Sequence, residues 1–172
     1  MTLPTESSGS WPFTGEINVL MIENDDDYVS LIKTSLSHKS INIFQASTPK
    51  DAIAQLYGYD KFHAITLDTG VYNGDDPVKM VRGILLAAPG VPVIALTRKD
   101  SDILMQRMLR VGVSDYLVKE DVSLAQVYRS IKRAVFKLIE DVDGDDRFQN
   151  ALNVLDQSIV MMRRNTILGS NG

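Results

Sequence analysis

Short runs of apolar residues, each followed by polar or turn residues, recur along the chain. The five runs cover residues 17–22, 41–46, 63–68, 91–97 and 116–119. Runs of this length are typical of strands that are buried on both faces of a parallel sheet. The run at 41–46 partly alternates apolar and polar positions, which predicts a strand nearer the edge of the sheet.

Apolar residues at helical spacing follow each predicted strand and indicate five helices. They are predicted from about residue 25 to 37, from 48 to 58, from 77 to 88, from 101 to 112 and from about 122 to 142. In the first, second and fourth of these helices, the residues expected to face the core are Tyr28, Leu31, Ile32, Leu36, Ala52, Ile53, Leu56, Tyr57, Ile103, Leu104, Met108 and Leu109.

Regular alternation of strands and helices predicts an α/β fold with a parallel sheet covered on both faces. We expect a doubly wound, five-stranded sheet with the flavodoxin-like strand order 2-1-3-4-5 and a C-terminal helical extension. Residues 1–15 are rich in Ser, Thr, Pro and Gly and are predicted to form a flexible tail. Residues 16–141 are predicted to form the domain, and residues 142–172 an amphipathic helix followed by a tail. The apolar positions of that last helix are Phe148, Leu152, Leu155, Ile159 and Met162, and it is expected to contact its own domain, a second copy or another protein.

Polar side chains at the strand ends converge on Asp68 in this topology. Order 2-1-3-4-5 places Glu23 and Asn24 beside Asp68, and it brings Thr97 and Lys119 to the same crevice. Carboxylate and amide oxygens around a small crevice suit a hard cation such as Mg²⁺. A carboxylate there can also form an aspartyl phosphate, provided that a metal and Lys119 neutralise the incoming charge.

Composition excludes several other classes of protein. The net charge of -4 argues against nonspecific binding to nucleic acid, and no apolar run reaches the roughly 20 residues needed for membrane insertion. The absence of cysteine excludes disulfides and thiolate chemistry, so we expect a cytoplasmic protein. A flavodoxin-like cofactor binder is disfavoured because the acidic residues 23–27 would repel a phosphate.

Four motifs, in order and at the right spacing, resemble the receiver domain of two-component response regulators. They are the acidic cluster in VLMIEND at 19–25, the phosphoacceptor strand ITLD at 65–68, the switch hydroxyl in VIALT at 93–97, and GVSDYLVK at 112–119, with the switch aromatic residue and the lysine. The resemblance covers residues from about 16 to 140.

The resemblance implies a signalling function for the site. It implies that the protein is not an enzyme, with at most self-phosphorylation and autodephosphorylation at Asp68. Asp68 would accept phosphate from a histidine kinase or phosphotransfer protein, and Lys119 would pair with it. Thr97 and Tyr116 would move together to alter the face formed by the fourth helix, fifth strand and fifth helix, which would contact a downstream protein or a second copy. Glu23, Asn24, Asp68 and the Gly70 carbonyl would hold Mg²⁺.

The sequence departs from the family pattern at four positions. Asn24 replaces an aspartate, which is expected to weaken Mg²⁺ binding, and Arg98 replaces a small residue after Thr97. Glu120 replaces a proline, and Asp76 replaces a glycine. An alternative hypothesis is therefore a phosphorylation-independent pseudo-receiver that acts as a scaffold or assembly subunit.

Overall fold

The computed structural model describes residues 16–58, 62–74 and 76–140. Its strands are β1 (Ile17–Ile22), β2 (Ile41–Ala46), β3 (Ala64–Asp68), β4 (Val93–Thr97) and β5 (Asp115–Val118). Its α-helices are α1 (Asp26–Leu36), α2 (Pro49–Gly58), α3 (Pro77–Ala87), α4 (Asp102–Val111) and α5 (Leu124–Glu140), and short 3-10 helices cover Ser37–Lys39 and Thr69–Val71. The predicted N-terminal tail and C-terminal amphipathic helix lie outside the described residues.

The five strands form one parallel sheet in the order β2-β1-β3-β4-β5, which confirms the predicted fold class. Ile22 of β1 lies opposite Leu67 of β3, and Asp68 lies opposite Leu96 of β4. Because parallel strands end at the same edge of the sheet, the residues that follow β1, β3, β4 and β5 are brought together.

Three strands differ from the predicted runs by one or two residues. β4 begins at Val93, since Pro92 has no N–H for the ladder. His63 precedes β3, and its Nδ1 accepts a hydrogen bond from the Asn18 backbone N at 2.9 Å. β5 ends at Val118, so Lys119 is the first residue after the strand, where its backbone N still donates to the Thr97 carbonyl at 2.8 Å.

Helices cover both faces of the sheet, as a doubly wound fold requires. α1 and α5 pack on one face through Ile32, Ile131 and Val135, and α2, α3 and α4 cover the other face. The buried residues of α1 and α5 recur every three or four positions, so each of these helices buries a single stripe.

The predicted inner faces of the helices were too wide. Leu31, Tyr57, Ile103 and Leu109 were expected in the core but are 50%, 79%, 75% and 46% exposed. In α4 only Met108 is fully buried, because this helix packs against an edge of the sheet rather than its centre. Apolar spacing therefore identified the helices but overestimated how much of each is covered.

The Thr66 hydroxyl is the one buried side-chain polar atom without a hydrogen-bond partner among residues 16–58, 62–74 and 76–140. Thr66 lies in the middle of the central strand β3 and is 1% exposed. We expect Thr66→Val to raise the free energy of unfolding by about 1 kcal/mol, because valine keeps the shape and removes an unsatisfied group. Urea denaturation at neutral pH measures this, and a less stable variant would contradict it. Thr97→Val is the matched control, expected to be destabilising because the Thr97 hydroxyl is hydrogen-bonded.

Candidate functional site

Three charged side chains meet in the crevice at the carboxyl edge of the sheet. The Lys119 ammonium donates to Asp68 Oδ2 at 2.7 Å and to Glu23 Oε2. The side chain of Lys119 is 6% exposed, that of Glu23 is 1% exposed and that of Asp68 is 5% exposed. Lys119 reaches both carboxylates because its long side chain crosses the end of β4, which separates β5 from β3. We name these residues the buried triad.

Backbone N–H groups fix the remaining carboxylate oxygens of the buried triad. Asp68 Oδ1 accepts from the Gly70 backbone N at 2.8 Å, and Glu23 Oε1 accepts from the Asp25 backbone N at 3.0 Å. Burial raises the pKa of Glu23, and the hydrogen bond from Lys119 partly opposes that rise. With both carboxylates ionised, the triad carries one net negative charge in a poorly solvated place, so it attracts a further cation.

Tyr28 lies beside the buried triad, although its apolar spacing had assigned it only to the core. The Lys119 ammonium lies 4.5 Å from the centre of its ring, within the range of cation–π attraction. Burial and the negative charges of Glu23 and Asp68 raise the pKa of Tyr28 to about 12. The sequence feature that could have placed Tyr28 near the site is its position three residues after the cap residue Asp25, in the first turn of α1.

The residues of the acidic cluster after β1 have different contacts and different exposure. Asn24 is exposed at the surface of the crevice, next to buried Glu23. Asp25 Oδ1 accepts from the Tyr28 backbone N at 3.0 Å and so caps α1. Its second oxygen, Oδ2, lies 2.6 Å from an Arg98 guanidinium nitrogen. The hydrogen bond from the Tyr28 backbone N–H lowers the pKa of Asp25, and the Arg98 guanidinium lowers it further by a smaller amount.

The predicted switch residues Thr97 and Tyr116 are linked through the backbone of Lys99. The Thr97 hydroxyl accepts from the Lys99 backbone N and from the Thr69 hydroxyl, each at 3.1 Å. The Tyr116 hydroxyl donates to the Lys99 carbonyl at 3.1 Å. Burial raises the pKa of Tyr116, against a smaller opposite effect of the Thr97 hydroxyl.

Asp76 has a structural reason to replace the usual glycine. Its Oδ1 accepts from the Val78 backbone N at 3.0 Å, which caps α3, and its Oδ2 lies 2.6 Å from Arg107 of α4. The hydrogen bond from Arg107 is the largest cause of its lowered pKa. This departure therefore joins α3 to α4.

The oxygen atoms of the residues at the Asp68 crevice are of the type that hard divalent cations such as Mg²⁺ prefer as ligands. They are the carboxylates of Glu23 and Asp68, the amide oxygen of exposed Asn24 and the carbonyl of exposed Gly70. A Cβ at position 70 would lie 3.2 Å from Asp68 Oδ1, so glycine keeps this approach open. Within the described part of the chain, no three His, Cys, Asp or Glu side chains group for a metal, so a cation here would combine the two carboxylates with amide, carbonyl and water oxygens.

A buried aspartate at the end of β3, paired with a lysine after β5 in a sheet of order β2-β1-β3-β4-β5, is the arrangement expected of a receiver domain. The family model for the response regulator receiver domain matches residues 19–131. The chain therefore belongs to the response regulator receiver domain family. Receiver domains are generally signalling domains rather than enzymes, and they typically interact with kinases or other proteins.

Solved receiver structures share the fold of this chain. A two-component response regulator from Clostridium difficile is 23% identical, with 75% of this chain and 100% of that chain covered and a TM-score of 0.63. The signal receiver domain of a putative Luxo repressor protein from Vibrio parahaemolyticus is also 23% identical, with coverage of 76% and 99% and a TM-score of 0.66. A CheY-like receiver domain protein from Methanospirillum hungatei is 16% identical, with coverage of 74% and 99% and a TM-score of 0.66.

At these identities the likeness establishes the fold alone, and no curated protein matches the chain. The receiver fold supports a signalling role like that of response regulators. In the described ranges, no helix is long and apolar enough to span a bilayer.

Proposed function

We propose that this protein is a receiver that accepts a phosphoryl group on Asp68 and signals through protein contacts. The observation that carries the proposal is the position of the Asp68 carboxylate, held between the Lys119 ammonium at 2.7 Å and the Gly70 backbone N at 2.8 Å. A nucleophile held in this way is oriented, and a cation is already present for the charge that arrives with the phosphoryl group.

Phosphoryl transfer requires one bond to form and one to break. An Asp68 carboxylate oxygen attacks the phosphorus of a phosphohistidine or of a small acyl phosphate, and a new O–P bond forms. The bond from phosphorus to the leaving group breaks, and the leaving group keeps its electron pair. The Gly70 N–H orients the carboxylate, and the Lys119 ammonium moves its hydrogen bond from Asp68 to a phosphoryl oxygen.

Magnesium is the cofactor that this donor set favours. Glu23, Asn24, Asp68 and the Gly70 carbonyl would hold it, directly or through water. When bound, Mg²⁺ neutralises charge on the transferring phosphoryl group. Asn24 contributes no charge, so we expect weaker binding than a site with an aspartate at that position.

The output proposed for this receiver is a changed protein-binding surface. Thr97 and Tyr116 share the Lys99 backbone, so a movement of the Thr97 hydroxyl toward a phosphoryl oxygen would disturb the Tyr116 hydrogen bond. The surface next to them, formed by α4, β5 and α5, exposes the apolar side chains Ile103 and Phe136. We propose that it contacts a downstream protein or a second copy, together with the predicted C-terminal helix. The histidine kinase or phosphotransfer protein would be the partner that supplies phosphate.

A second candidate function is the phosphorylation-independent scaffold. It is favoured by the complete hydrogen bonding of the four carboxylate oxygens of Glu23 and Asp68 within the protein. A triad satisfied in this way stabilises the crevice without any ligand. It predicts that Asp68→Asn leaves partner binding unchanged.

Intact mass measurement after incubation with Mg²⁺ and acetyl phosphate tests the proposed function. We expect wild type to gain the mass of one phosphoryl group and Asp68→Asn to gain none, because an amide is not a nucleophile toward phosphorus. Asp102→Asn, which removes an exposed carboxylate on α4, is the matched control and should still form the adduct. Wild type that forms no adduct with acetyl phosphate or with a phosphohistidine donor would overturn the proposal.

A further inference from the structure

An exposed arginine lies at the mouth of the crevice and is paired with a carboxylate from the opposite side. Arg98 follows Thr97 at the end of β4, and Asp25 follows β1. An Arg98 guanidinium nitrogen lies 2.6 Å from Asp25 Oδ2, and the two side chains are 61% and 32% exposed. The pair joins positions that are 73 residues apart in sequence.

The Arg98–Asp25 pair spans the end of the strand that carries Asp68. β3 lies between β1 and β4 in the sheet, so a contact from the residue after β4 to the residues after β1 passes over the end of β3. A phosphodonor that approaches Asp68 therefore meets the Arg98 guanidinium at the opening.

The charges in this crevice leave a place for a second cation. When both carboxylates are ionised, Glu23 and Asp68 together carry one negative charge more than Lys119 balances, and a phosphoryl group on Asp68 adds further negative charge. Asn24 cannot contribute charge to hold a metal that would balance it. Arg98 is already nearby, and exposed ion pairs contribute little to stability, so it can leave Asp25 at small cost.

We propose that Arg98 is a second phosphoryl-binding cation, which leaves Asp25 and pairs with the phosphoryl oxygens while they transfer to Asp68. The inference rests on the proposed function and adds a residue to it. A guanidinium presents two parallel N–H groups that match two phosphoryl oxygens, which a lysine ammonium cannot do. Arg98 thereby compensates for the charge that is absent at Asn24.

The opposite interpretation is a fixed latch, in which the Arg98–Asp25 pair only blocks the opening. The two interpretations predict opposite changes in the rate of phosphorylation when Arg98 is removed. Removing Arg98 slows phosphorylation if Arg98 binds the phosphoryl group, and speeds it if Arg98 is a latch. Asp25→Asn tests a different point, whether the ion pair itself is needed: asparagine keeps the helix cap and weakens the ion pair, so it frees Arg98 without removing the guanidinium.

The test is the initial rate of adduct formation from acetyl phosphate, followed by intact mass, in wild type, Arg98→Ala, Arg98→Lys and Asp25→Asn. At limiting Mg²⁺ we expect Arg98→Ala to be about tenfold slower, the size of a charge-assisted hydrogen bond. At saturating Mg²⁺ the difference should shrink. Arg98→Lys should be intermediate, and Asp25→Asn should be as fast as wild type or faster.

A second readout does not depend on rate. In nuclear magnetic resonance spectra, the Arg98 Nε–H signal, assigned by its loss in Arg98→Ala, should shift when acetyl phosphate is added to wild type and stay in place in Asp68→Asn. An unchanged or faster Arg98→Ala, or an Asp25→Asn as slow as Arg98→Ala, would overturn the role of Arg98 while the proposed function stands. Wild type that forms no adduct would overturn both.

Discussion

Replacing Lys119 with methionine is expected to lower the free energy of unfolding by about 3 kcal/mol at neutral pH. The change leaves the carboxylates of Glu23 and Asp68 next to each other, 1% and 5% exposed, without the ammonium that both now contact. Methionine approximates the length of the lysine side chain, so the loss reports on charge rather than on a cavity. Urea denaturation at constant ionic strength measures the difference.

The pH dependence of this variant has a definite sign. Two adjacent buried carboxylates without a cation have pKa values raised above those of the unfolded chain. Such groups contribute stability at low pH that is lost as pH rises through their raised pKa values, so the defect of Lys119→Met should shrink on acidification. Burial already raises the pKa of Glu23 in the intact triad.

Two control variants keep this result interpretable. The double variant Lys119→Met/Asp68→Asn should recover most of the lost stability, because only one carboxylate remains buried. Lys50→Met, an exposed lysine of α2, should unfold like wild type. A Lys119→Met protein as stable as wild type at neutral pH would contradict the description of the triad as a mutually dependent charge cluster.

The sheet and the residues around Asp68 could be predicted because both depend on short-range patterns. Apolar runs that end in a polar residue identify strands buried on both faces, and parallel strands place their carboxyl ends at one edge. The lysine at the end of the fifth run was expected at this edge, and the structure places its ammonium 2.7 Å from Asp68. The roles of these residues in metal binding and signalling stay predictions.

The details that the sequence could not supply depend on tertiary packing. A periodic apolar stripe does not say how much of a helix its neighbours cover, which is why Ile103 and Tyr57 were wrongly assigned to the core. The Arg98–Asp25 contact joins an exposed arginine to a partly exposed aspartate. The predicted strand order places the ends of β1 and β4 near each other, but it does not determine which side chains pair there.

Replacing Asn24 with aspartate is expected to tighten Mg²⁺ binding by about tenfold or more, because the charge count of the ligands tunes affinity for a divalent cation. Asparagine and aspartate have nearly the same shape, so the comparison isolates one negative charge beside Glu23 and Asp68. Isothermal titration calorimetry with Mg²⁺ measures the effect. Gln106→Glu adds the same charge on exposed α4 and should leave affinity unchanged.

The same variant also separates the two candidate functions through stability. Without metal, a third carboxylate beside the triad should destabilise Asn24→Asp, and Mg²⁺ should reverse this by binding the folded state. Measurable Mg²⁺ binding to wild type favours the function as a receiver that is phosphorylated on Asp68. Mg²⁺ binding to Asn24→Asp alone favours the scaffold. An Asn24→Asp protein that binds Mg²⁺ no better than wild type would contradict the assignment of position 24 to the metal site. In that case the charge that governs phosphorylation at Asp68 would be that of Arg98 rather than that of a metal ligand at position 24.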